Sequence, residues 1–180
     1  MSMKTVKIAI TDIGGNVAVM DFITIGRGDS LPFGGEWLKK DSGWWKREDS
    51  DENILHEIKR GESSYLKPTA SWRRIEAGEI PPDRTFRDAW KDTGSRLDVH
   101  MPKAREIHLQ RVRVARAVKL EELDREWMRA TGQGKKADAE AAEAKKQRLR
   151  DLPATLPVEE ATTPDELKAV WDDELGPQVI

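Results

Sequence analysis

Apolar and polar residues alternate from Lys4 to Ile10, with Val6, Ile8 and Ile10 on one side and Thr5, Lys7 and Ala9 on the other. A period of two is that of a strand with one buried face. Asp12-Ile13-Gly14-Gly15-Asn16 follows with residues that accept positive φ, the chemistry of a tight turn. Val17 to Ile25 then reads as a second strand, with Val17, Val19, Asp21 and Ile23 sharing a side. The pair predicts a β-hairpin, which needs more strands or a helix to be stable. Alternation is lost from Gly26 to Lys46, a glycine-rich stretch carrying Trp37, Trp44 and Trp45 that reads as a loop. Helical spacing begins at Asp49 and runs to Arg60, with Ile54, Leu55 and Ile58 inward, Ser50 or Asp51 as the cap and Gly61 as the stop. Ser71 to Ile75 reads as a returning strand. Pro81-Pro82-Asp83 starts a short helix, Arg84 to Lys91, with Phe86 and Trp90 on one face, and Arg96 to Met101 alternates again as a strand.

The longest uninterrupted pattern runs from Pro102 to Ala130. Proline suits the first helical turn, and Gly132-Gln133-Gly134 is a strong stop. Such a helix spans roughly 40 Å. At 100° per residue Leu109, Val112, Leu120, Leu123 and Trp127 share one face, while Ile107, Val114 and Val118 fall nearly opposite. A surface helix needs a single apolar stripe, so the second stripe predicts contact with the N-terminal domain or with another protein. Lys135 to Leu152 reads as a second helix built on Ala137, Ala141, Ala144 and Leu149, ended by Pro153 and Pro157. The short connection makes the two an αα-hairpin. Thr163-Pro164-Asp165-Glu166 is a capping-box start for a last helix that buries Leu167, Val170 and Trp171. The expected fold class is α+β: a β-rich N-terminal domain over 1–101 with a Gly/Trp-rich loop, then a helical region over 102–180 containing the long helix, the hairpin and a short C-terminal helix.

Composition narrows the function classes. Hydrophobic residues (37%) barely outnumber charged ones (36%), so a modest core and much exposed helix are expected. The net charge of −2 argues against general binding to nucleic acid or anionic membranes. The absence of cysteine removes disulfides and thiolate metal sites. No apolar run suggests a signal peptide or a membrane span. Seven tryptophans against one tyrosine, spread along the chain, place an aromatic anchor in every segment.

Catalytic and metal motifs are incomplete. Gly28-Asp29-Ser30-Leu31 resembles the serine motif of the GDSL esterases, whose chemistry requires an Asp-x-x-His pair near the C-terminus. No histidine follows His108 here. Arg27-Gly28-Asp29 resembles the integrin-binding tripeptide, but small and polar residues here read as a plain turn. Asp98, His100 and His108 lack the further ligands of a metal site, and Gly134-Lys135 does not fit the phosphate-loop spacing. Lys103, Arg105, Arg111, Arg113, Arg116 and Lys119 could contact phosphates, but they point around the whole helix. The residues therefore predict no catalytic site, no metal and no cofactor. The partner-binding candidates are Trp37, Trp44, Trp45, Ile107, Val114 and Val118.

Four stretches carry a family resemblance: Asp83 to Trp90, Met101 to Ala130, Lys146 to Pro153, and Ala161 to Trp171. Together they resemble small tail-associated proteins of tailed bacteriophages and prophages, described as tail-fibre components, tail-fibre assembly proteins or tail assembly chaperones. The resemblance covers roughly 71–175. It implies a non-enzymatic protein that contacts a tail-fibre or baseplate protein, or a further copy of itself, in the virion tail or in the host cytoplasm during assembly. It carries over no catalytic residues. The alternative is a nucleic-acid-binding or regulatory protein using the basic start of the long helix.

Overall fold

The structure, a computed structural model, describes residues 4–27, 38–40 and 44–178. It is an α+β chain of antiparallel strands followed by a helical hairpin and a short last helix. It divides into two compact units, Met1–Val99 and His100–Ile180.

In the first unit β1 (Lys4–Asp12) and β2 (Val17–Arg27) form the expected hairpin. Asp12 accepts the backbone N–H groups of Gly14 and Asn16 at 2.8 Å each, and Gly15 takes a φ of 76°. These bonds keep the Asp12 carboxyl below the usual range, the Asn16 side chain contributing most. Part of the stretch read as a loop is strand: β3 (Leu38–Lys40) and β4 (Trp44–Lys46) pair with each other, and β4 pairs with the far end of β2. With β5 (Thr69–Ile75) the sheet has the order β3-β4-β2-β1-β5. Helix α1 (Asp51–Glu62) is capped by the Ser50 side chain, which accepts the Asn53 N–H. It lays Ile54 and Ile58 on Ile8, Ile10 and Phe22.

The expectation that β1 buries one face is corrected. Ala9, on its other face, packs with Ile75, Trp90 and Leu97. A central strand covered on both sides loses its alternation in burial. Two readings of α1 are also corrected. Leu55 is 41% exposed, because the 100° step from Ile54 turns it off the sheet. Gly61 lies inside the helix rather than after it. A Cβ there would come within 2.7 Å of Leu66 Cδ1, so the absent side chain makes room for Leu66.

Residues 84–91 do not form the expected helix. Asp83 accepts both the Thr85 N–H and its hydroxyl, a tight turn leads into a 3-10 turn at Arg87–Ala89, and Trp90 opens β6 (Trp90–Asp92). β6 pairs with β7 (Leu97–Val99) around Gly94, whose φ is 87°. Phe86 and Trp90 are both buried, but not as a helix face, and Trp90 packs with Ala9, Ile75 and Leu97. So short a helix has little stability of its own, and strand pairing wins. Among the described residues Arg47 and Glu57 form an interior ion pair. Arg47, 2% exposed, donates from Nε to the Ile23 carbonyl at 2.7 Å and from Nη1 to Glu57 at 3.1 Å, with its guanidinium 3.9 Å from the Phe22 ring centre.

In the second unit α2 (Met101–Gly132) packs antiparallel on α3 (Lys136–Thr155) through a turn in which Gly134 has φ 70°. Met101, expected in a strand, is the first residue of the helix. α4 (Pro164–Ala169) follows with the expected capping box: Thr163 accepts the Glu166 N–H at 3.2 Å, and Glu166 accepts the Thr163 N–H at 3.2 Å. The core joins Val112 and Leu123 of α2, Leu149 and Leu152 of α3, and Leu175 beyond α4. The inward face of α3 differs from the one expected. Ala142, Lys146, Leu149 and Leu152 are buried, while Ala137, Ala141 and Ala144 are exposed. Methyl side chains carry too little burial energy to orient a helix, and the two leucines orient it instead. Pro153 does not end α3. The helix runs to Thr155, closed by Leu156 N–H on the Leu152 carbonyl, and Leu156 is extended because Pro157 follows.

Candidate interaction surface

The buried row of α2 is Ala104, His108, Val112, Leu123 and Ala130. His108 is 1% exposed and its ring stands edge-on to Trp171 at 5.9 Å. Its Nε2 lies 2.6 Å from the Val170 carbonyl. A carbonyl only accepts, so Nε2 carries the proton. Burial, the largest influence, lowers the pKa of this histidine. His108 is therefore a packed core residue that ties α2 to the chain after α4. His100 is exposed, and among the described residues no cluster of three His, Cys, Asp or Glu is placed to hold a metal. Ser30 and the rest of the esterase-like motif lie outside the described residues.

Opposite the buried row, Val114 is 57% exposed and Val118 is 54% exposed, one turn apart, with Ile107 half-buried on the same side. The α2–α3 core does not use this stripe. Trp127 is corrected from core to edge: it is 38% exposed, with the Lys146 ammonium 5.5 Å from its ring centre. That lysine was not foreseen. Its stem lies on the inward face of α3 while Nζ reaches Asp124 at 2.7 Å and Glu143 at 2.9 Å. Those carboxylates raise its pKa, Asp124 first. An aliphatic stem with a charged tip can fill a core position in this way, which a hydrophobic pattern does not register.

The remaining candidates are not brought together. Trp37 lies outside the described residues. Trp44 and Trp45 lie in β4, opposite Arg27 and Gly26 of β2, and only their backbone is described. The basic start of α2 is largely engaged with its own unit. Arg105 donates to the Ala161 carbonyl at 2.9 Å and pairs with Glu159 at 3.4 Å, Arg116 donates to the Arg150 carbonyl at 3.1 Å, and Lys119 pairs with Glu122 at 2.9 Å. The acidic C-terminal segment meets α3, where Arg148 pairs with Asp172 at 2.8 Å and also with Glu174. Among the described residues no helix is long and apolar enough to cross a membrane. No family model, curated protein or solved structure matches the chain.

Proposed function

We propose that the chain is a non-enzymatic tail protein of a tailed bacteriophage that binds a tail-fibre or baseplate protein, as a virion component or as an assembly chaperone. The reading rests on the sequence resemblance over the helical region and on one structural observation. That observation is the exposed Val114–Val118 pair on the outward face of a helix whose inward face is already filled. Each valine is worth roughly 1.5–3 kcal/mol when taken from full exposure to full burial. Both are a little over half exposed, so a partner that covers them gains on the order of tenfold in affinity from each. Val114→Asp is expected to abolish co-purification with the fibre or baseplate protein while the isolated protein keeps its circular dichroism and melting temperature. Unfolding of the isolated variant, or undiminished co-purification, overturns this use of α2. Mass spectrometry of purified particles separates the two roles, because a chaperone leaves and a virion component stays. The nucleic-acid alternative has little support from the basic residues, three of which are engaged within the unit. Its mark would be binding that weakens steeply with salt.

A further inference from the structure

The first unit carries a second candidate surface, unrelated to the α2 face. Opposed residues of an antiparallel pair alternate between hydrogen-bonded and non-bonded pairs. The Asp12 N–H donates to the Asn16 carbonyl at 2.9 Å, so in this register Ile10–Ala18 and Ile8–Met20 are bonded pairs. The N–H and C=O groups of Val17, Val19 and Asp21 therefore point away from β1. Ile23 has the same parity, and its carbonyl does face outward, accepting from Arg47 Nε. β4 pairs with β2 only at Ile25, Gly26 and Arg27. Among the described residues, no strand pairs with the outer edge from Val17 to Asp21.

A cavity of about 330 Å³ opens at this edge. It touches Val17, Ala18 and Val19. Successive side chains of a strand point to opposite faces, so a cavity that meets all three reaches the backbone edge and not one face alone. Its other wall includes Trp90, Arg84 and Arg87. Trp90 is 6% exposed, and its indole N–H has no acceptor among the described residues. Buried donors ordinarily have one. Lys7 and Asp21 neutralise each other at 2.7 Å, and Arg87 has Asp88 at 3.6 Å. Arg84 has no carboxylate partner among the described residues. The strand edge offers both N–H donors and C=O acceptors, and beside it the exposed Arg84 guanidinium lacks a carboxylate, while the Trp90 indole N–H is itself buried.

We propose that this edge of β2 binds an extended acidic peptide segment of another protein by strand addition, with main-chain hydrogen bonds to Val17, Val19 and Asp21 and a carboxylate on Arg84. Main-chain pairing supplies affinity in this mode, and side-chain pockets supply specificity. Asp21 at an otherwise open edge discourages indiscriminate pairing.

The test uses the full chain and a fluorescein-labelled peptide alternating valine and glutamate. The expected result is saturable binding by anisotropy, with slowed amide exchange at Val19 and Asp21. Methylating alternate peptide nitrogens, or replacing glutamate by lysine, should each weaken binding on the order of tenfold, the loss expected from a few hydrogen bonds or one charged contact. Arg84→Glu, at an exposed position, should weaken the acidic peptide similarly with unchanged melting, and Val114→Asp should leave peptide binding unaltered. Absence of saturable binding, equal binding of the methylated peptide, exchange protection outside β2, or self-association through β2 in the absence of peptide each overturns the proposal. The α2 reading is judged separately by its own co-purification test.

Discussion

Leu149 is 2% exposed in the α2–α3 core, whereas Trp127 at the rim of the same hairpin is 38% exposed. Truncation should follow burial and not side-chain size. Leu149→Ala is expected to cost about 2–5 kcal/mol. Trp127→Ala should cost about 1–2 kcal/mol, from partial burial and the contact with the Lys146 ammonium. Urea denaturation of the full chain measures both, and the reverse order would place Trp127 in the core. His108 sets a pH dependence. Its folded pKa lies below the ordinary 6.5, chiefly through burial. The unfolded chain therefore takes up this proton first as pH falls, and stability that is whole above pH 6.5 is lost as pH drops towards the folded pKa. Within that window His108→Gln should show a shallower decline than wild type, by at most about 1.4 kcal/mol per pH unit. The lowered carboxyls of Asp12, Glu79, Glu143 and Glu166 also favour the folded state at higher pH, but their losses begin at more acidic pH. An equal slope in both proteins would show that His108 is not the sensor.

At the scale of elements, caps and turns were the most legible features. Thr163 and Glu166 meet as their spacing requires, and Thr162 adds two further donors to the Glu166 carboxylate, from its N–H at 2.7 Å and its hydroxyl at 2.8 Å. Thr163→Ala is expected to cost about 1 kcal/mol. Its signature should be faster amide exchange at Glu166, with the α2–α3 hairpin unaffected, and unchanged exchange there would mean the cap does not hold α4. The elements that sequence reading missed are the three-residue strands β3, β4 and β6. Three residues are too few to display a period, and each exists only because another strand pairs with it. The same reason turned 84–91 from an expected helix into a 3-10 turn and a strand.

At the scale of the whole molecule, each unit holds its own apolar clusters. The first has one cluster around Ile8, Phe22 and Ile54 and another around Ala9, Ile75 and Trp90, and the second has the cluster of Val112, Leu149 and Leu175. A fragment covering 100–180 is therefore expected to fold alone, with a helical circular dichroism spectrum and a cooperative melt. A non-cooperative melt would show that its core is incomplete. Of the candidate surface, Val114 and Val118 were legible, because helical spacing alone sets them opposite Leu123. The β2 edge was not. An open edge is defined by which strands do not pair with it, and the hydrophobic pattern of β2 is the same either way.

The sequence alone determined what depends on neighbouring residues: the β1–β2 turn through Asp12, Gly15 and Asn16, the long helix between Pro102 and Gly132, the hairpin turn at Gly134 and the cap at Thr163. These follow from φ preferences, side-chain periodicity and local hydrogen bonds, all fixed within a few residues. The apolar spacing also set Ile54, Ile58, Val112, Leu123 and Leu167 inward, but the tertiary structure alone decided burial where the pattern is mixed. It covered both sides of β1, turned Leu55 and three alanines of α3 outward, drew Lys146 inward and left Trp127 at the rim. Burial depends on atoms that arrive from distant parts of the chain. A long lysine stem can then fill a place that an alanine does not claim, because the energy gained follows the area covered.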